Sequence, residues 1–139
     1  AKANAQRNGL DGKMDFLVAD VFDLLPELGK QVKAPFDFII LDPPAFTKSR
    51  ASVKKAVTGY REINLRAMKL IRDGGFLATC SCSHFVDYEL FTQTIGQAAR
   101  NVHKRLQYSF GEAYGLSIES EPDIGTTVTI RLPGPDSQK

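Results

Sequence analysis

The chain has 139 residues, of which 42% are hydrophobic and 24% charged, with a formal net charge of +2. That length supports one domain with a core of its own, and the composition is that of an ordinary soluble globular protein. A pI near 8.6 permits nucleic-acid binding without arguing for it, and no apolar run approaches the roughly 20 residues of a membrane span.

In chain order, Ala1 to Asn8 reads as a helix, with Gly9 as the residue after it that adopts positive φ. Met14 to Ala19 reads as a short buried strand. Asp20 follows, and Val21-Phe22-Asp23-Leu24-Leu25 starts a helical stretch toward Gly29. Phe36 to Leu41 is the next strand. Lys48 to Arg72 is mostly helical, with Ala56, Tyr60, Ile63, Leu65, Ala67, Leu70 and Ile71 as the core stripe. Asp73-Gly74-Gly75 is a stop and turn before the strand Phe76 to Cys80. Tyr88 to Leu106 is helical again, its inner side formed by Leu90, Phe91, Ile95, Ala98, Val102 and Leu106, and Gly96 weakens its middle. Strands that alternate with helices argue for a parallel sheet with right-handed crossovers. Leu116 to Ser120 and Thr127 to Leu132 instead alternate apolar and polar residues around Pro122-Asp123-Ile124-Gly125, which predicts an antiparallel hairpin; Pro133 to Lys139 is a polar tail.

Two strand ends carry the chemistry. The run Phe36–Leu41 is followed by Asp42-Pro43-Pro44-Ala45-Phe46, and the run Phe76–Thr79 by Cys80-Ser81-Cys82-Ser83-His84. Proline fixes its own φ and biases the residue before it toward extended geometry, so the first corner holds a carboxylate and an aromatic ring in fixed positions. A thiol at one strand end and an acid at another suggest attack on a nucleobase. The 2 cysteines are two apart, too close for an unstrained disulfide, and read as free thiols of a reducing, cytoplasmic compartment. Plainer roles exist for each residue. A free cysteine often only fills core, Asp42 can serve a turn, and Asp20 can cap the helix after it. The cluster Lys48, Arg50, Lys54 and Lys55 can be a solvated helix face. No second ligand stands at a spacing that would make His84 a metal ligand.

Four segments occur in the order and spacing of one family: Asn4-Ala5-Gln6-Arg7-Asn8-Gly9-Leu10, Ala19-Asp20-Val21-Phe22, Leu41 to Ser49, and Thr79 to Ser83. Through them residues 1 to about 99 resemble class I, S-adenosylmethionine-dependent methyltransferases, and among these the family that methylates cytosine C5 in large-subunit (23S) ribosomal RNA. The resemblance implies an α/β fold, a Rossmann-like three-layer sandwich with a mainly parallel sheet, here ended by the C-terminal antiparallel hairpin. It implies S-adenosylmethionine as cofactor and ribosomal RNA as partner. Cys82 matches the family's nucleophile, with Asp42 as its catalytic companion, whereas Cys80 sits where the family varies. Asp20 and Val21 would meet the cofactor's adenine, and Asp42 and Pro43 would line the junction of cofactor and base. Pro44, Phe46 and Lys48 would face the RNA, Phe46 by stacking on a flipped base.

The resemblance also has limits. The glycine-rich loop for the cofactor's methionine end and the acid for its ribose would lie before Ala1, so weak cofactor affinity is expected. Without an initial Met, and opening inside a helical pattern, the chain reads as an excised or recombined segment. Residues about 101 to 133 resemble the end of a sensor histidine kinase ATP-binding domain, without its catalytic Asn helix, adenine-binding Asp or lid glycines. A chimera joined near Arg100 is therefore expected. The strands that would separate Met14–Ala19 from Phe36–Leu41 are not in the sequence, which predicts a rearranged sheet or a homodimer through an open edge. Amino-group methylation at the Asp-Pro-Pro corner and a non-catalytic folding unit are the other readings.

Overall fold

The computed structural model describes residues 1–31, 36–113, 115–121 and 125–131. Its elements are α1 (Lys2–Arg7), α2 (Val21–Gln31), β1 (Phe36–Leu41), α3 (Val53–Met68), β2 (Ile71–Thr79), α4 (Tyr88–Phe110), β3 (Gly115–Glu121) and β4 (Gly125–Arg131). A short 3₁₀ turn, Arg50–Ser52, leads into α3.

Local chemistry sets the helix ends. Gly9 has φ 65°. It donates its N–H to the carbonyl of Gln6, and Leu10 donates to that of Ala5, so two carbonyls left open by the end of α1 are satisfied. The backbone N–H of Phe22 donates to Oδ1 of Asp20 at 2.8 Å, which caps α2. Asp87 does the same for α4 by accepting from the Leu90 N–H at 2.8 Å. Pro26 lies inside α2 and removes one rung of its ladder.

The periodic stripe of α3 is buried as expected at Ala56, Tyr60, Ile63 and Ala67, while Leu65 is half-buried. Leu70 and Ile71 are buried too, but beyond the helix: α3 stops at Met68, and Ile71 opens β2. On α4, Phe91, Ile95, Ala98 and Val102 are buried with Ala99, and Leu90 packs against them half-buried. These residues join Leu41 and Leu77 of the sheet and Leu25 of α2 in one core. Each fully buried side chain of this size contributes about 1.5–3 kcal/mol. Among the described residues no helix is long and apolar enough to cross a membrane.

The sheet runs β1-β2-β4-β3. β1 and β2 are parallel, β4 pairs antiparallel with β2, and β3 pairs antiparallel with β4, so this mixed helix and strand arrangement is compatible with a Rossmann-like α/β fold. Phe76 stands opposite Thr129, which places β4 beside β2. Residues 122–124 and 132–139, where the turn and the polar tail were expected, lie outside the described residues.

Other expectations also fail. Met14–Ala19 forms no strand. It runs exposed, with Leu17 72% and Val18 101% accessible, because no neighbouring strand offers it a ladder. Among the described residues a third layer, on the second face of the sheet, is not formed. α2, α3 and α4 share the core with Leu41 and Leu77, while Phe38, Ile40 and Phe76 stand 54%, 66% and 50% exposed on the opposite face.

Asp73-Gly74-Gly75 is not a turn that precedes a strand but an irregularity inside β2. Phe36 pairs with Ile71 and Phe38 with Phe76, so β2 carries extra residues against β1 at this point. A Cβ on Gly75 would lie 2.5 Å from Cγ2 of Ile71 and 2.7 Å from the Asp37 carbonyl oxygen. Arg72 and Asp37 form an ion pair across the same irregularity. Gly75→Ala is expected to cost about 1–3 kcal/mol by overpacking, read as a lower urea midpoint; an unchanged midpoint would show that the bulge can relax.

Candidate active site

Because β1 and β2 are parallel and adjacent, their carboxyl ends lie at the same edge of the sheet, where open α/β folds place ligands. The ladder continues one step past the strands: the Cys80 N–H donates to the Leu41 carbonyl at 2.9 Å. Asp42 follows Leu41, so the two expected chemical segments meet. Sγ of Cys82 lies 4.0 Å from Oδ1 of Asp42, the outer limit of a thiol hydrogen bond. Asp42, Cys80 and Cys82 are all exposed.

The corner after Asp42 is stiff. Pro43 and Pro44 bring no backbone donor; Pro43 is half-buried and Pro44 exposed. Thr47 is buried and fastens the far side. Its hydroxyl donates to the Ser49 carbonyl at 2.6 Å, lies 2.6 Å from the Ser52 hydroxyl, and accepts the Ser49 N–H at 3.2 Å. Lys48, Arg50, Lys54 and Lys55 are exposed beside this corner.

Phe46 is already engaged. Its ring centroid is 4.5 Å from that of Tyr60 and 5.9 Å from that of Phe22. Gly59 makes room for it, since a Cβ there would sit 3.1 Å from Cδ2 of Phe46. The Phe22–Phe46 contact also brings the first turn of α2 to the corner, and with it Asp20, exposed, and Val21, half-buried. Asp20 is the helix cap described above, which uses one of its carboxylate oxygens.

Tyr60 was legible only as core. It is 0% exposed, with Phe91 edge-on at 5.3 Å. Its hydroxyl lies 2.9 Å from the Ser83 hydroxyl and receives a hydrogen bond from that of Ser81 at 3.1 Å. The signal in the sequence was the alternation Cys-Ser-Cys-Ser: serines on both sides of Cys82 need a partner under the strand end. His84 is exposed beside Phe85.

The Cys80 thiol is shifted by its surroundings. Loss of water around it pushes the Cys80 thiol above its ordinary value, and the Asp42 carboxylate and then Cys82 push it further. Each cause disfavours the thiolate, the form that reacts.

No protein-family model matches the chain. Curated proteins do. It is 37% identical over 123 residues to "Ribosomal RNA large subunit methyltransferase I" of Photobacterium profundum, a match that covers 86% of the chain and 31% of that relative. The proteins of the same name from Aliivibrio fischeri and Pseudoalteromonas atlantica are 41% and 42% identical over 109 and 108 residues, covering 78% and 77% of the chain and 27% of each relative. The chain thus spans less than a third of the length of the curated relatives it matches, and resembles ribosomal RNA methyltransferases over that part. Matches of this length run past Arg100, into the stretch whose residues resemble a histidine kinase. Neither that resemblance nor a junction at Arg100 finds support among these relatives.

The cap and the thiols can both be checked. Asp20→Ala should cost about 1 kcal/mol of stability and Asp20→Asn almost none, since the amide oxygen still accepts the Phe22 N–H; equal losses in urea unfolding would contradict the cap. Alkylation of Cys80, followed site by site by mass spectrometry, should have its midpoint above that of an ordinary thiol, and Asp42→Asn should lower it. The folded state resists ionisation of Cys80. Its stabilising contribution is therefore present below the unfolded thiol value and lost as pH rises through the folded one.

Proposed function

We propose that this chain is the base-attacking part of an S-adenosylmethionine-dependent RNA methyltransferase that modifies cytosine C5 in ribosomal RNA, with Cys82 as nucleophile. One observation carries the reading: the Cys82 thiol stands beside the Asp42 carboxylate at the shared end of two parallel strands. The name of the relatives supports large-subunit ribosomal RNA as the substrate.

Cytosine C5 is a poor nucleophile. When the Cys82 thiolate bonds to C6, the ring's electron pair moves toward C5 and makes it enamine-like. Asp42 at the N3–N4 edge stabilises the charge that develops there. S-adenosylmethionine, when bound, would supply an electrophilic methyl group, the pair of the broken S–CH3 bond staying on sulfur as the neutral thioether. Once C5 is alkylated, its proton goes to a base, the C6–S bond breaks, and Cys82 returns as the thiolate. Cys80, which sits where the resembled family varies, is the weaker candidate for this attack.

The chain's residues fit one end of the cofactor. The cap leaves the second carboxylate oxygen of Asp20 to accept from the adenine amino group, with half-buried Val21 beside it. On the RNA side, Pro44 and Lys48 are exposed at the corner, and Lys48 with Arg50, Lys54 and Lys55 would hold phosphates. Phe46, held by Tyr60 and Phe22, anchors the corner and offers a base only its remaining surface.

A ribosomal RNA fragment with C5-fluorinated cytosine tests this reading, because the absent C5 proton traps the thiol adduct. With S-adenosylmethionine, the chain should form a covalent complex that survives denaturing electrophoresis. Cys82→Ala should abolish it, Cys80→Ala should not, and Asp42→Asn should slow it about 10²–10⁴-fold. Methyl transfer that survives Cys82→Ala would move the assignment to amino-group methylation at the Asp-Pro-Pro corner. A folded chain that gives no heat with S-adenosylhomocysteine by calorimetry and transfers no methyl group would leave a scaffold.

A further inference from the structure

We infer that Tyr60 is a positioning residue for Cys82: its buried hydroxyl closes a ring of hydrogen bonds that clamps the chain on both sides of the nucleophile. The inference rests on the proposed role of Cys82 and names a residue outside the strand-end segments that carry that role.

The ring can be traced atom by atom. The Ser83 N–H donates to Oγ of Ser81 at 3.3 Å. The Ser81 hydroxyl donates to the Tyr60 hydroxyl oxygen at 3.1 Å. The Tyr60 hydroxyl then has its own proton for Oγ of Ser83 at 2.9 Å. In this direction every member donates once and accepts once, so no proton is in conflict. Both serines are needed, and Cys82 is the residue between them.

Burial makes the ring rigid. Tyr60 is 0% exposed and Ser83 4%, so water does not replace a lost partner at low cost. The Tyr60 ring is itself fixed by Phe46 at 4.5 Å and Phe91 at 5.3 Å. Tyr60 therefore acts in two directions. Its ring face supports Phe46, which belongs to the Asp42 corner, and its hydroxyl holds the Cys82 loop. One buried side chain sets the spacing between the two groups that the proposed chemistry brings to the same base. Cys82 itself stays exposed, with its backbone clamped and its thiol at the surface. Cys80 lies outside the ring and is held by the ladder through its N–H to Leu41.

Tyr60→Phe removes the hydroxyl and keeps the ring contacts. Amide hydrogen exchange by NMR on the full chain is the direct readout. In Tyr60→Phe the Ser83 amide should exchange at least about tenfold faster, while the α3 amides of Asn64 and Met68 stay as in the wild type. Ser81→Ala should do the same, and the double variant should add nothing, because either change opens the same ring. Acceleration that spreads equally over α3 would reduce Tyr60 to a core residue and overturn the inference, as would an unchanged Ser83 amide. A second readout addresses the chemistry: Tyr60→Phe should slow trapping by C5-fluorinated cytosine RNA at least about tenfold, with the half-saturating RNA concentration unchanged. A wild-type chain that traps no RNA would count against the proposed function, and the exchange result alone would then decide whether Tyr60 clamps the loop.

Discussion

The parallel ladder between Phe38–Leu41 and Phe76–Thr79 places two chain ends side by side, and the other features of this molecule are arranged around that contact. Parallel strands cannot be joined by a tight turn, so a crossover must separate them. Here that crossover is α3, whose stripe from Ala56 to Ala67 is buried in the shared core. The same helix supplies Tyr60 to the strand ends and Gly59 to the Phe46 ring. Topology, packing and chemistry are thus three uses of one connection.

Much of this was legible from residue types. Asp42 with its two prolines, the Cys-Ser-Cys-Ser run, the stripe on α3 and the cap at Asp20 rest on local rules: fixed φ, helical period and short side-chain to backbone bonds. What was not legible depends on partners distant in sequence. Met14–Ala19 has the apolar content of a buried strand, but a strand exists only where another lies beside it. Leu70 and Ile71 have the spacing of the α3 stripe and are indeed buried, yet one lies in a turn and the other in β2. Tyr60 looked like any aromatic in a core stripe. Its hydroxyl matters only because Ser81 and Ser83 end up above it, and no pattern within a helix announces that.

The open face of the sheet carries large apolar side chains. Phe38, Ile40 and Phe76 are apolar at positions that here meet water, and Phe38 and Phe76 lie against each other with ring centroids 6.3 Å apart. Strands written with apolar residues on both faces are the mark of sheets covered on both sides. The sequence of β1 is thus consistent with a two-sided sheet, while the described helices share a core with only one side of it.

The bulge in β2 has a consequence at a distance. Between the pairs Phe36 with Ile71 and Phe38 with Phe76, β1 advances two residues while β2 advances five. Everything after Gly75 is therefore registered by the length of that insert, including Cys80 opposite the Leu41 carbonyl. Removing two residues from it would draw the thiol loop back by roughly 7 Å relative to Asp42, and removing one would turn alternate side chains to the wrong face. The bulge lies about 17 Å from the strand ends, at roughly 3.3 Å per residue. It serves as a spacer, so a change in chain length at the far end of the sheet would set the separation of a carboxylate and a thiol that it never touches.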